Sequence, residues 1–148
     1  MMGYRQEGVA VLGTILMVAI VGIVMMGYTK TAMQQRQDVR IYATAASINY
    51  LANAQSSHYD SVGAWAVDLD QLSNNGFLPR SAGTSLFRNN NAVGNPYTFV
   101  VNGRFLHIST EMTDQVQARR VALAVGSNAS ALSKPEEKTV LAVYAPPA

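Results

Sequence analysis

The sequence contains no cysteine, which excludes thiol nucleophiles, disulfides and Cys-ligated zinc. It leaves the compartment open, because exported proteins can also lack Cys. Charge is scarce as well, at 14% of residues, a deficit unusual for a soluble protein. Most of that deficit lies at one end, where Gly8 to Thr29 holds no charged side chain. The net charge is only +2, from 11 Lys and Arg against 9 Asp and Glu. A scattered excess of this size carries no nucleic-acid footprint, so no nucleic-acid partner is expected. With 148 residues the chain has room for one domain of ordinary size and an attachment, not for two full domains.

What the N-terminal part does have is the run VAVLGTILMVAIVGIVMMGY, Val9 to Tyr28. As a helix, about 20 residues rising ~1.5 Å each span roughly the 30 Å of bilayer hydrocarbon. A secretory signal has a shorter apolar core and a small-x-small cleavage site, and Thr29-Lys30-Thr31-Ala32-Met33 is a poor one. Tyr4 and Tyr28 bracket the run and suit membrane interfaces. From Thr29 to Ser56 there is neither Pro nor Gly, and helix formers dominate. Ile41, Ala45, Ile48, Ala52 and Gln55 form one stripe, which Tyr42 and Leu51 widen. The pattern predicts one continuous helix from about Val9 to Ser56. Its first half is apolar all round and suits lipid or a subunit core, whereas its second half is amphipathic and suits packing on a head.

A polar leader MMGYRQEG ending in Gly8, an apolar helix and an amphipathic continuation into a small head together resemble a type IV prepilin, of the type IVb or conjugative-pilus kind. The resemblance implies a prepilin peptidase that cuts between Gly8 and Val9 and methylates the new N-terminus. It implies helix melting on assembly near Gly22, where related pilins often carry glycine; Gly13 and Gly27 add to this, since Gly costs about 1 kcal/mol in a helix relative to Ala. Glycines in membrane helices also simply allow close approach. Family members normally carry a glutamate where this chain has Gly13, and its carboxylate can neutralise a neighbouring subunit's N-terminus. Tip and initiating subunits can lack it, so its absence leans toward a minor pilin. Lys30 stands where a proline is often found.

The head is expected to run from residue 57. Ser57 to Ala66 reads as a loop leaving the long helix. Val67 to Gly76 reads as a short helix with Asp68 as N-cap, Leu69 and Leu72 facing inward, and Asn75-Gly76 as its stop. In YTFVVNGRFLHIS, Asn102-Gly103 reads as a type I′ hairpin turn pairing Val101 with Arg104, Phe99 with Leu106 and Tyr97 with Ile108. That puts Tyr97, Phe99, Leu106 and Ile108 on the core face, with Thr98, Val100, Phe105 and His107 outside. Thr110 or Thr113 caps a helix ending near Val125, with Gly126 as its stop. Ser127 to Lys138 reads as a polar loop, and Thr139 to Tyr144 as a final strand returning to the hairpin's sheet. Arg80 to Asn95 is the least regular stretch, with RNNNAVGNP as a surface loop.

Catalytic groups do not emerge. His58-Tyr59-Asp60 lacks a second ligand pair and reads as a solvated loop, not a metal site. His107 falls on the outer face of the hairpin. Ser85, Ser109 and Ser130 lack a Gly-x-Ser-x-Gly context, and no phosphate-binding loop is present. Asn128-Ala129-Ser130 fits a glycosylation sequon by spacing alone. Arg119-Arg120 reads as the solvent side of a helix, or as a docking patch. Trp65 reads as a lid on the core, or as a partner anchor.

The expected fold is α+β, a long N-terminal helix packed on a small antiparallel sheet. Residues 1–8 are a leader, 9–28 the membrane and filament-core half, 29–56 the amphipathic half, and 57–148 the head. Filament-core packing falls to Val11, Leu12, Ile15, Leu16, Val18, Ile20, Val21, Ile23 and Val24. The head core falls to Ile41, Ile48, Leu51, Trp65, Leu69, Leu72, Tyr97, Phe99, Leu106 and Ile108. No cofactor or metal is expected. The resemblance implies a structural subunit whose partners are itself and other pilins, the prepilin peptidase, inner-membrane assembly machinery, lipid before assembly, and in some family roles a cell-surface receptor. It places the chain in the inner membrane first and in an extracellular pilus afterwards. A single-pass anchored periplasmic binding protein, a secretion pseudopilin and an anchored hydrolase are the alternatives.

Overall fold

The computed structural model describes residues 4–81, 84–85, 87–131 and 138–147, with side chains for 14–79, 87–129 and 138–147. Helix α1 runs over Tyr4–Val62 and α2 over Leu69–Asn74. The short strands β1 (Arg80–Ser81) and β2 (Thr84–Ser85) pair with each other. Then come β3 (Thr98–Asn102), β4 (Phe105–Glu111), α3 (Gln115–Val125), β5 (Ala129–Ala131) and β6 (Thr139–Tyr144). The chain divides into two compact units, residues 1–38 and 39–148.

In the second unit, α1 continues beyond the expected end near Ser56 to Val62. The buried stripe explains this, because it does not stop at Gln55. Ile41, Thr44, Ala45, Ile48, Leu51, Ala52, Gln55 and His58 are all buried, so packing overrides the weak helix propensity of Ser56-Ser57. Gly63, at φ 78°, ends the helix and donates its N–H to Tyr59 O at 2.7 Å. That left-handed conformation is the usual glycine stop. Asp68 caps α2 by accepting from Gln71 N at 2.7 Å.

The main sheet has four antiparallel strands in the order β3-β4-β6-β5. The last strand returns beside the hairpin as expected. The fourth strand, β5, lies inside the stretch expected to be a polar loop, and residues 132–137 of that stretch fall outside the described residues. Three residues of Ala-Ser-Ala are too short to show a strand period; pairing with β6 defines this one. Asp114, not Thr110 or Thr113, caps α3, accepting from Gln117 N at 2.8 Å. Thr110 belongs to β4 and is buried.

The hairpin register differs from the expected one. Asn102 pairs with Phe105, Val101 with Leu106 and Phe99 with Ile108. The two turn residues are therefore Gly103 and Arg104, with Gly103 at φ 62° in the first central position, where primed turns favour glycine. Every partner shifts by two residues. Because side chains alternate with a period of two, the same side chains still face inward. Leu106 and Ile108 of β4 and Val140 and Ala142 of β6 are buried with the α1 stripe, Trp65, Leu72, Leu78, Tyr97, Met112 and the inner face of α3. Leu69 and Phe99 are only partly buried, at the margin of that core.

Candidate functional site

In the first unit, every described side chain from Thr14 to Gln37 is exposed. Ile15, Leu16, Val18, Ile20, Val21, Ile23 and Val24 are each more than half exposed, with Ile23 at 72%. A helix that is apolar all round is normally buried in protein or lipid. The helix is long and apolar enough to cross a bilayer. Its polar groups are satisfied locally at the far end of the apolar run. The Thr29 hydroxyl donates to Met25 O at 2.9 Å and Met26 O at 3.1 Å, and Thr31 donates to Gly27 O at 3.0 Å. Such back-bonding lets a hydroxyl sit in an apolar surrounding without an orphaned donor. A Cβ added at Gly22 or Gly27 would meet nothing within 4 Å, so these glycines make no close packing contact with the described residues. The side chains of Val9, Val11 and Leu12 lie outside those described, as do Gly8 and Gly13 beyond their helical backbone.

The head holds several buried polar ties. Gln55 forms a two-way bond with Ala66: its Nε2 donates to Ala66 O at 3.0 Å and its Oε1 accepts from Ala66 N at 2.9 Å. His58 is not the solvated loop residue expected from its neighbours. It is fully buried on α1, with Nδ1 2.8 Å from Ala64 O and Nε2 2.9 Å from Asn75 Nδ2. A carbonyl can only accept, so Nδ1 carries the proton and Nε2 accepts from Asn75. Phe77 meets the ring edge-on at 5.3 Å. Trp65 is buried and donates from Nε1 to Arg104 O at 2.8 Å, which fixes the hairpin turn to the segment that follows α1.

Asn91 shows most clearly what sequence reading missed. It stands in the RNNNAVGNP tract, yet it is buried, and its amide uses its full bonding capacity. Nδ2 donates to Thr110 Oγ1 at 2.9 Å and Glu111 O at 2.6 Å, while Oδ1 accepts from Val93 N at 2.9 Å and Asn95 N at 3.0 Å. Nothing in a run of three asparagines marks the third as the buried one. Asn91→Ala is expected to lower stability by about 1–3 kcal/mol, because Thr110 and two loop amides lose a partner. Chemical denaturation of the head checks this, and Asn90→Ala, at an exposed neighbour, is expected to be nearly silent.

The hydroxyls of Ser73 and Tyr144 are buried without a hydrogen-bond partner. Burial pushes the Tyr97 and Tyr144 phenols above their ordinary value of 10.0, opposed at Tyr97 by the nearby Ser47 hydroxyl. The folded state therefore holds these protons more tightly than the unfolded state. Their contribution is complete below pH 10 and is lost as pH rises through the higher folded values. Tyr144→Phe is expected to flatten the fall in stability above pH 10 and, by removing an orphaned hydroxyl, to cost little at pH 7. Urea denaturation at both pH values tests it.

Among the described residues, no three His, Asp or Glu side chains gather as a metal site. His107 is half-buried on the outer sheet face, and Arg119 and Arg120 are exposed on α3.

The fold is that of type IV pilins. A solved structure of the major type IV pilin PilA1 from Clostridium difficile is similar, with a TM-score of 0.51 and 14% identity, covering 72% of this chain and 95% of that one. No protein-family model matches the sequence, and no curated protein matches it.

Proposed function

We propose that the chain is a pilin-like subunit that is held in the membrane by its apolar helix and then packed into a filament through the same helix. The carrying observation is the apolar side chains exposed on every side between Ile15 and Val24. Residues 1–8 are a leader, removed by a prepilin peptidase between Gly8 and Val9. Val11, Leu12, Ile15, Leu16, Val18, Ile20, Val21, Ile23 and Val24 pack in the filament core, and residues 57–148 with the amphipathic half of α1 form the outer surface. Gly13, Gly22 and Gly27 ease local unwinding. Trading lipid for like helices needs close packing more than added hydrophobicity, since lipid tails are as apolar as the side chains. Gly13 supplies no carboxylate for a neighbour's N-terminus, which favours a tip or minor position over the repeating one.

Intact mass of the protein recovered from membranes tests the processing step. A chain beginning at Val9, with or without one added methyl group, is expected. Retention of MMGYRQEG, together with failure to enter fibres when the assembly components are supplied, would leave a tethered monomer.

A further inference from the structure

Strand β3 is an edge of the main sheet, and β4 is its only strand neighbour among the described residues. Its sequence, Thr-Phe-Val-Val-Asn, carries no charge and no proline, and Thr98, Val100, Val101 and Asn102 are exposed. Edge strands are usually protected by Lys, Pro, a bulge or a cover, because their unpaired backbone groups template another chain. The opposite edge, β5, is only three residues long. The free stretch of β3 has definite ends. At one end Tyr97 N donates to Asn89 O at 3.0 Å, and Asn90 bridges Pro96, so the neighbouring loop occupies the edge there. At the other end the chain turns at Gly103-Arg104.

We propose that β3 pairs antiparallel with β3 of a second copy about a two-fold axis at Val100. The five residues are complementary to themselves in that register. Thr98 faces Asn102 of the other copy, Phe99 faces Val101, and Val100 faces Val100. The polar residues fall at both ends, and an aromatic residue meets a β-branched one twice, a favourable cross-strand pair. A parallel or shifted pairing loses this match, and a two-fold contact is closed, so it does not propagate.

Charge fixes the ends. A cleft of about 280 Å³ lies beside the start of β3, lined by Asp68, Asp70, Asn89 and Tyr97 among others. Asp68, Asp70 and Arg104 are all exposed. In the proposed register Gly103 of each copy lies opposite Tyr97 of the other, with Arg104 next to it. Each Arg104 thus arrives at the acidic cleft of its partner. Salt is expected to weaken these two ion pairs, because they lie at the rim. The pairing concerns the heads only and does not rest on filament formation through the apolar helix.

The absence of native cysteine gives a clean test on the full chain in detergent. Under mild oxidation Val100→Cys is expected to form a disulfide-linked dimer readily. Leu123→Cys, at a more exposed site on α3 (81% against 52% at Val100), is expected to stay monomeric, which separates head pairing from association through the apolar helices. Adding Arg104→Asp to Val100→Cys is expected to reduce the dimer, and adding Asp70→Arg as well is expected to restore it. Equal cross-linking at positions 100 and 123, or none at 100 in protein whose melting curve matches the parent, overturns the pairing. Failure of the charge swap to restore the dimer overturns the register.

Discussion

Val21→Lys is expected to strip the protein from membranes and from any fibre while leaving the melting temperature of the head where it was. Val21 stands near the middle of the apolar run and is 54% exposed. At the centre of a membrane helix a lysine costs about 2.5–3.5 kcal/mol on insertion scales, whereas valine is mildly favourable. A change of that size weakens partition by a factor of about a hundred or more. In a polymer the penalty recurs at every subunit, and each buried ammonium would need a partner that an apolar seam cannot offer. The head is insulated from the change because the described side chains from Thr14 to Gln37 are exposed and none belongs to its core. Membrane sedimentation, fibre counts by electron microscopy and thermal melting in detergent read the three quantities separately. Fibres at the parental number would remove the apolar helix from the assembly contact. A drop in melting temperature with normal fibres would mean that residue 21 stabilises the head instead.

The long helix was legible because its signals are redundant. An uncharged run, an absence of breakers and a stripe at helical spacing each predict it, and they agree. The final strand and the short helix were equally plain, since Thr139–Tyr144 and the Asp68 cap fall where pattern and capping chemistry place them. The hairpin was half legible. Alternation fixed which side chains face inward, but Asn102-Gly103 and Gly103-Arg104 are both acceptable two-residue turns on either side of the same strands. Tertiary contacts favour the second: Trp65 bonds to the Arg104 carbonyl, and β6 pairs along β4 from Leu106 to Glu111.

Buried polar groups were the least legible. His58, Gln55 and Asn91 are buried because backbone groups of Ala64, Ala66, Glu111 and the loop from Val93 to Asn95 meet them. Those partners lie up to 20 residues away in sequence, and no local pattern announces them. Only Gln55 left a trace, as the one polar residue on the apolar stripe. The exposed apolar surface of the first unit was legible for the opposite reason: the run that makes it is local in sequence and depends on no partner among the described residues.

Ile48→Ala is expected to cost about 2–5 kcal/mol and to lower the melting temperature of the head by roughly 10 °C or more. Ile48 is fully buried on α1 and shares one cluster with Leu106 and Ile108 of β4, Val140 and Ala142 of β6, and Val121 of α3. Truncation removes three methyl or methylene carbons' worth of contact from a site walled by two kinds of secondary structure. Neither wall can close the gap without breaking a ladder or a helix turn. The loss should therefore be felt by the sheet, although the altered residue is on the helix. Hydrogen exchange is expected to accelerate at the amides of Leu106 and Ile108 as much as at those of α1, because a shared core opens as one unit. Leu123→Ala is the matched control: the same kind of truncation at a side chain 81% exposed on α3 is expected to stay within about 0.5 kcal/mol. If Ile48→Ala loosened α1 alone and left β4 protected, the helix and the sheet would be separate cores, and the amphipathic half of α1 would lose its role as the support of the head.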